Sequence, residues 1–208
     1  MLGRITIDSL RPATPSRRFP TKAIVGERVT VSADIFRDGH GLLGARVRWR
    51  QVGRDGKGRW STTPMDDRGN DRWEAVISPT QIGRHEIVIE AWRDRFATWR
   101  HDVEIKAGAG DDVELELEEG ARILEALAAG YGARDKRRVL DAAAGLRRAS
   151  CSVHVRLNAG LDDRVARLVA TVPDADLTEA PPLPLWVDRA RAGFGAWYEL
   201  FPRSEGGF

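Results

Sequence analysis

The stretch Gly39-His40-Gly41-Leu42-Leu43-Gly44 has the glycine spacing of a dinucleotide-binding loop, in which backbone amides hold a pyrophosphate at a helix N-terminus. That chemistry needs a helix directly after the loop. Ala45 to Val52 instead alternates apolar and charged residues, so the loop reads as an ordinary connection between strands. His40, His85, His101 and His154 stand in separate segments, and no pair has the i, i+4 spacing that sets two imidazoles on one helix face. Neither a metal site nor a cofactor is expected. Cys151 and His154 could be imagined as a thiol and its base, but no third group is there to orient them, and Cys151 reads as structural. The Asp and Glu residues of the first half alternate with apolar ones as solvent-face charges, and no pair stands out as the acid and base of a glycosidase. No catalytic residue is assigned.

Seven tryptophans remain, and an exposed indole is a flat surface on which the apolar face of a sugar can stack. Trp49, Trp73, Trp92 and Trp99 fall in strand-like segments and are expected to fill the inter-sheet core, two of them sharing a face with aliphatic neighbours. Trp60, between glycine-rich turns and polar residues, is the one expected to be exposed and the candidate for stacking on an α-glucan.

The elements that would position these residues follow from periodicity. From Arg4 to Lys106 the apolar residues recur at every second position: Val29, Val31, Ala33 and Ile35; Ala45, Val47 and Trp49; Trp73, Ala75 and Ile77; His85, Ile87, Ile89 and Ala91. Arg46, Arg48 and Arg50 would face water. Asp-Gly, Gly-Lys-Gly and Arg-Gly-Asn turns between the runs predict an antiparallel sandwich of about seven strands. Ala107-Gly108-Ala109-Gly110 reads as a hinge, after which the period becomes helical. Asp111, with Glu114 three residues on, can cap a helix that turns Val113, Leu117, Ala121, Leu124 and Ala128 inward, although Val113, Leu115 and Leu117 also fit a short strand. A second helix is predicted over Arg134–Arg148, with Val139, Ala142, Ala143 and Leu146 inward, and a third over Leu161–Val172. Pro173 to Pro184 reads as a strap over another surface, and Trp186 to Phe208 as an aromatic segment lacking part of its cover.

Composition narrows the function classes. The chain has 208 residues, 33 Lys and Arg against 31 Asp and Glu, so the balance gives no polyanion-binding surface and nucleic acid is not an expected partner. One cysteine excludes an internal disulfide framework, and MLGRITIDSL lacks the layout of a secretion signal, which together predict a cytoplasmic protein. No apolar run approaches the roughly 20 residues of a membrane helix, so no membrane partner is expected.

Four separated segments resemble one family in its own order: Lys22-Ala23-Ile24-Val25-Gly26-Glu27; Ile35-Phe36-Arg37-Asp38-Gly39-His40; Ala91-Trp92-Arg93-Asp94 with Ala97-Thr98-Trp99; and Trp186-Val187-Asp188-Arg189 leading into Trp197-Tyr198-Glu199-Leu200-Phe201-Pro202-Arg203-Ser204. Together they are similar to the N-terminal region of the α-1,4-glucan:maltose-1-phosphate maltosyltransferases of the α-amylase superfamily. The resemblance implies a mainly β architecture with added α: an immunoglobulin-like antiparallel β-sandwich over 1–108, a helical bundle insert over 109–175, and over 176–208 a strap and the start of a (β/α)8 barrel before which the chain is truncated. It further implies a non-catalytic structural and dimerisation role, the catalytic carboxylates lying beyond Phe208. The parent enzyme would be a homodimer that transfers maltosyl from maltose 1-phosphate to α-glucan with retention. Phe201, Pro202 and Arg203, at the end of the first barrel strand, would lie near bound substrate. A carbohydrate-binding module is the alternative.

Overall fold

β-Branched and aromatic residues at alternate positions, broken by turns, produce ten strands in a computed structural model that describes residues 5–195. These are β1 (Ile5–Arg11), β2 (Thr21–Ile24), β3 (Val29–Arg37), β4 (Leu43–Gln51), β5 (Ser61–Pro64), β6 (Asp66–Asp67), β7 (Arg72–Ile77), β8 (Gly83–Arg93), β9 (Ala175–Glu179) and β10 (Leu183–Asp188). One sheet has the order β1-β3-β7-β6; the other runs β2-β10-β8-β4-β5, with β9 also on β8. All pairings are antiparallel except that of β10 with β2. The inward residues of both sheets share one core: Val31, Ala33, Ile35, Ala75 and Ile77 from the first, Val47, Ile87, Ile89, Leu185 and Val187 from the second. Each buried Val, Leu or Ile among them contributes about 1.5–3 kcal/mol by leaving water.

Two strand-level expectations need correction. The alternating pattern was read through Lys106, but β8 ends at Arg93 and a helix, α1 (Arg95–Ala109), follows. Asp94 starts it, its carboxylate accepting from the Ala97 amide, and Phe96, Trp99 and Val103 form one buried helical stripe. Trp99 is therefore a helical residue outside the inter-sheet core. Ala107-Gly108-Ala109-Gly110 is no hinge: it is the end of α1, closed by Gly110 in the left-handed conformation at φ 82°. The expected strap from Pro173 to Pro184 carries β9 and the start of β10. These two strands lie end to end along one edge of β8, opposite residues 90–93 and 83–87. Leu183, Leu185 and Val187 point inward, leaving Trp186 on the outer side at 41% exposure.

The helices build a second core. α2 (Glu114–Ala128) buries Leu117, Ala121, Leu124 and Ala128, with Val113 just ahead of it, the stripe predicted from spacing. Its cap differs, because Asp112 rather than Asp111 accepts from the Glu114 amide. α3 (Ala133–Leu146) buries Val139, Ala142, Ala143 and Leu146. A helix not predicted from spacing, α4 (Val153–Gly160), comes next. The helix predicted over Leu161–Val172 follows it and is shorter, α5 (Asp163–Val169), started at Asp162, whose carboxylate accepts from the Arg164 and Val165 amides. Arg156 reaches from α4 to the end of α3, its Nε donating to Leu146 O at 2.7 Å while Nη1 pairs with Glu114. A short 3-10 turn, Ala190–Gly193, follows β10.

Candidate functional site

Alternation sends Arg46, Arg48 and Arg50 of β4 to the outer side of the larger sheet, and the register sets Glu90 opposite Arg46 and Glu86 opposite Arg50. They are not the free water face expected from sequence. Arg46 Nε reaches Glu90 Oε2 at 2.5 Å, Arg48 Nη1 reaches Glu90 Oε1 at 2.7 Å, and Arg50 Nη2 reaches Glu86 at 2.8 Å. Arg46 also donates to Thr171 O at 3.0 Å, which ties the segment after α5 to this face. Glu90 is fully buried. Burial pushes its pKa up, but the hydrogen bonds and charges of Arg48 and Arg46 outweigh that and hold it below the ordinary glutamate value. An ionised carboxylate committed to two guanidiniums is neither a proton donor nor a free nucleophile.

Trp60 lies beside this ladder. The Arg48 and Arg50 guanidiniums sit 4.6 and 4.4 Å from its ring centroid, and the residue is half-buried. Its indole is thus oriented by cations from β4. Trp92, expected in the inter-sheet core, lies instead on the outer face of the larger sheet with Arg46, buried against Gly44, where a Cβ would stand 2.5 Å from the indole. Trp49 and Trp73 pack at the edge of the inter-sheet core, as read from their strand positions.

The remaining candidates are dispersed. His85 is buried with Nδ1 donating to Gly83 O at 3.1 Å, and burial lowers its pKa. His154 meets Asn158 on α4, while Cys151, half-buried, precedes that helix. Asp94 is buried and its pKa is raised, chiefly by desolvation and then by the Asp174 charge, yet its oxygen is committed to capping α1. Among the described residues no group of three or more His, Cys, Asp or Glu is arranged to hold a metal ion. No described helix is long and apolar enough to cross a membrane. Phe201, Pro202, Arg203 and the whole Trp197–Ser204 segment lie outside the described residues.

The four motif segments carry the resemblance across both cores, and domain N/S of the α-1,4-glucan:maltose-1-phosphate maltosyltransferases matches residues 3–189. The chain belongs to this maltosyltransferase family. It is 45% identical over 213 residues to the α-1,4-glucan:maltose-1-phosphate maltosyltransferase 1 of Streptomyces coelicolor, covering 99% of this chain and 31% of that protein. The Myxococcus xanthus maltosyltransferase is 43% identical over 98% of this chain and 31% of its own length. That of Pseudomonas aeruginosa is 37% identical over 98% and 30%. The chain therefore spans about a third of the length of the curated maltosyltransferases it matches. A solved alkylpurine DNA glycosylase of Pseudomonas fluorescens, bound to DNA, covers 42% of this chain and 27% of its own at 14% identity and a TM-score of 0.30, a likeness too slight to carry argument.

Sequence reasoning missed the Arg46–Glu90–Arg48 cluster. The signal was present, as Arg-x-Arg-x-Arg in one strand and Glu-x-x-x-Glu in another, but only the pairing register makes it a ladder.

Proposed function

We propose that this chain is the non-catalytic structural and dimerisation region of a maltosyltransferase that extends α-1,4-glucan from maltose 1-phosphate. The observation that carries the proposal is the match of domain N/S to residues 3–189, spanning both the sheet core and the helical core. Its buried ionisable groups support the same reading, since Glu90, Asp94 and Arg156 are engaged in holding strands and helix ends. The two sheets over one core fit an immunoglobulin-like sandwich. The division proposed is into a sandwich unit and a helical unit, which the two separate hydrophobic cores support. A cytoplasmic location is consistent with a single free cysteine.

Sedimentation of the purified chain over a wide concentration range tests the assembly role: a monomer–dimer equilibrium is expected, and a monomer at every concentration counts against it. Phosphate release from maltose 1-phosphate by the chain alone, above a blank, would refute the non-catalytic reading. In a full-length relative that retains the motif, Phe201, Pro202 and Arg203 are proposed to stand near substrate. Replacing the arginine matching Arg203 by Ala should then change kcat/KM for maltose 1-phosphate while leaving the dimer intact. Trp60 carries the proposal of glucan stacking, which unchanged Trp fluorescence at millimolar maltoheptaose would remove.

A further inference from the structure

We propose that the cleft between the end of β3, the end of β8 and the helices α1 and α2 binds a phosphate dianion, with Arg37 as its principal ligand. The cleft holds about 520 Å³ and is lined by five cations, Arg37, Arg93, Arg95, Lys106 and Arg122, against three acids, Asp102, Glu116 and Glu119. Most of these charges have partners, and the two carboxylates that make no ion pair among the described residues, Asp102 and Glu119, act on Lys106. Lys106 is bonded to Glu116, Arg122 to Glu118, and Arg95 grips Asp174 with both Nε and Nη2 at 2.7 and 2.6 Å.

Arg37 and Arg93 differ. Arg37 donates through Nε to Asp38 O at 3.0 Å, but its Nη1 is buried with no acceptor among the described residues, and no described carboxylate pairs with it. Arg93 Nε is likewise buried without a hydrogen bond, its nearest carboxylate oxygen, on Asp176, standing 3.5 Å away outside bonding geometry. A buried donor left unmet costs about 1–3 kcal/mol, so both side chains gain from an incoming acceptor. A guanidinium with no described carboxylate partner beside a second whose buried Nε is unmet offers donors to more than one oxygen of a dianion, and the guanidinium fork presents parallel N–H groups to phosphate oxygens.

The glycine-spaced loop, discarded as a dinucleotide site, acquires a role here. Gly39 and Gly41 pass directly over the Arg37 guanidinium: a Cβ on Gly41 would stand 2.8 Å from Nη1, and one on Gly39 would stand 3.4 Å from Nη2. Glycine at both positions lets the loop lie on the cation and lets it lift for an oxyanion to reach Nη1. Gly39, at φ 96°, already holds a conformation that other residues resist.

This inference does not depend on the assembly role proposed above. It is tested by titrating the isotopically labelled 208-residue chain with inorganic phosphate, glucose 6-phosphate or acetate at constant ionic strength, following backbone amide shifts. Saturable one-site binding of phosphate is expected, with perturbations clustered at Gly39, Gly41, Arg93 and Thr98. Arg37→Gln should weaken it by about tenfold or more, as loss of a charge-assisted contact implies. Arg37→Lys, which keeps the charge and loses the fork, should fall between. Tighter binding of glucose 6-phosphate identifies an ester as the preferred source of the dianion, and equal or tighter binding of inorganic phosphate identifies the free ion. Acetate binding as tightly as phosphate, shifts clustered elsewhere, a linear response to millimolar phosphate, or full affinity in a folded Arg37→Gln would each overturn the proposal. The wild-type shift map decides the question even if the variant does not fold.

Discussion

Gly120 of α2 should not tolerate a methyl group, although alanine is the better helix former. A Cβ built there stands 2.2 Å from Trp99 Cζ2 and 2.3 Å from Cε2, where ordinary contact begins near 3.4 Å. The indole must therefore retreat by more than about 1 Å, a distance that well-packed interiors resist. It has little freedom to do so: Trp99 is 4% exposed, and its Nε1 donates to Glu116 O at 2.6 Å from the same helix that carries the new methyl. Overpacking costs about 1–3 kcal/mol and an unmet buried indole N–H about 1–3 more, against roughly 1 kcal/mol gained in helix propensity, for a net loss of about 1–5 kcal/mol in Gly120→Ala. With a urea m-value of about 2 kcal/mol/M, the unfolding midpoint should fall by roughly 0.5–2.5 M. Gly108→Ala in α1, where nothing lies within 4 Å of the added Cβ, should leave the midpoint unchanged or raise it slightly. In a Trp99→Leu background the Gly120→Ala penalty should shrink by at least about 1 kcal/mol, because the obstructing ring is gone. A Gly120→Ala chain with the wild-type midpoint, or an equal loss in both backgrounds, would refute the reasoning.

Glu90→Gln should cost about 3 kcal/mol by leaving Arg46 and Arg48 around a neutral, fully buried partner, read as a lower urea midpoint. Because the folded pKa of Glu90 lies below its ordinary 4.5, its contribution is complete above that pH and is lost as pH falls toward the depressed value; the variant should show a shallower acid slope. Burial raises the Tyr131 phenol to about 12, and its hydroxyl donates to Leu168 O at 2.8 Å. In a Tyr198→Phe background, absorbance at alkaline pH should therefore show ionisation near 12, with the stability held by the neutral phenol lost between the ordinary 10.0 and that value. Gly110→Ala, at φ 82° on the end of α1, should lower stability by about 1 kcal/mol in the same urea assay.

What the sequence made legible was what local periodicity encodes. The stripe Val139, Ala142, Ala143 and Leu146 and the alternation from Val29 to Ile35 each stay within one element, and each is buried as read. α1 was missed because Val103 and Ile105 prolong a two-residue rhythm past Asp94, while the helical stripe Phe96, Trp99, Val103 carries only three members. β9 and β10 were missed for a different reason. Leu183, Leu185 and Val187 do alternate, but the edge that pairs with them is nearly a hundred residues upstream, and the Pro181-Pro182-Leu183-Pro184 run argues locally against a strand. The paired-arginine face and the Arg37–Arg93 cleft were likewise closed to a reading of spacing, since the first is assembled by strand register and the second brings together ends of strands from different sheets.

That register also explains how the helical core is held to the sheets. β8 runs straight into α1 through Asp94, so the cap that starts the helix also ends the strand. The chain returns through Asp174, gripped twice by Arg95, and Thr171, whose carbonyl accepts from Arg46. Both crossings between the two cores thus sit at one end of β8 and are fastened by arginines, Arg93 at the end of β8, Arg95 at the start of α1 and Arg46 on β4 opposite Glu90. Concentrating cations there engages Glu90, Asp174 and Asp176, whereas Arg37, arriving from the other sheet, pairs with no described carboxylate. The under-compensated charge at the cleft is a consequence of how the two cores are joined, and an anion entering there would bridge the smaller sheet to α1.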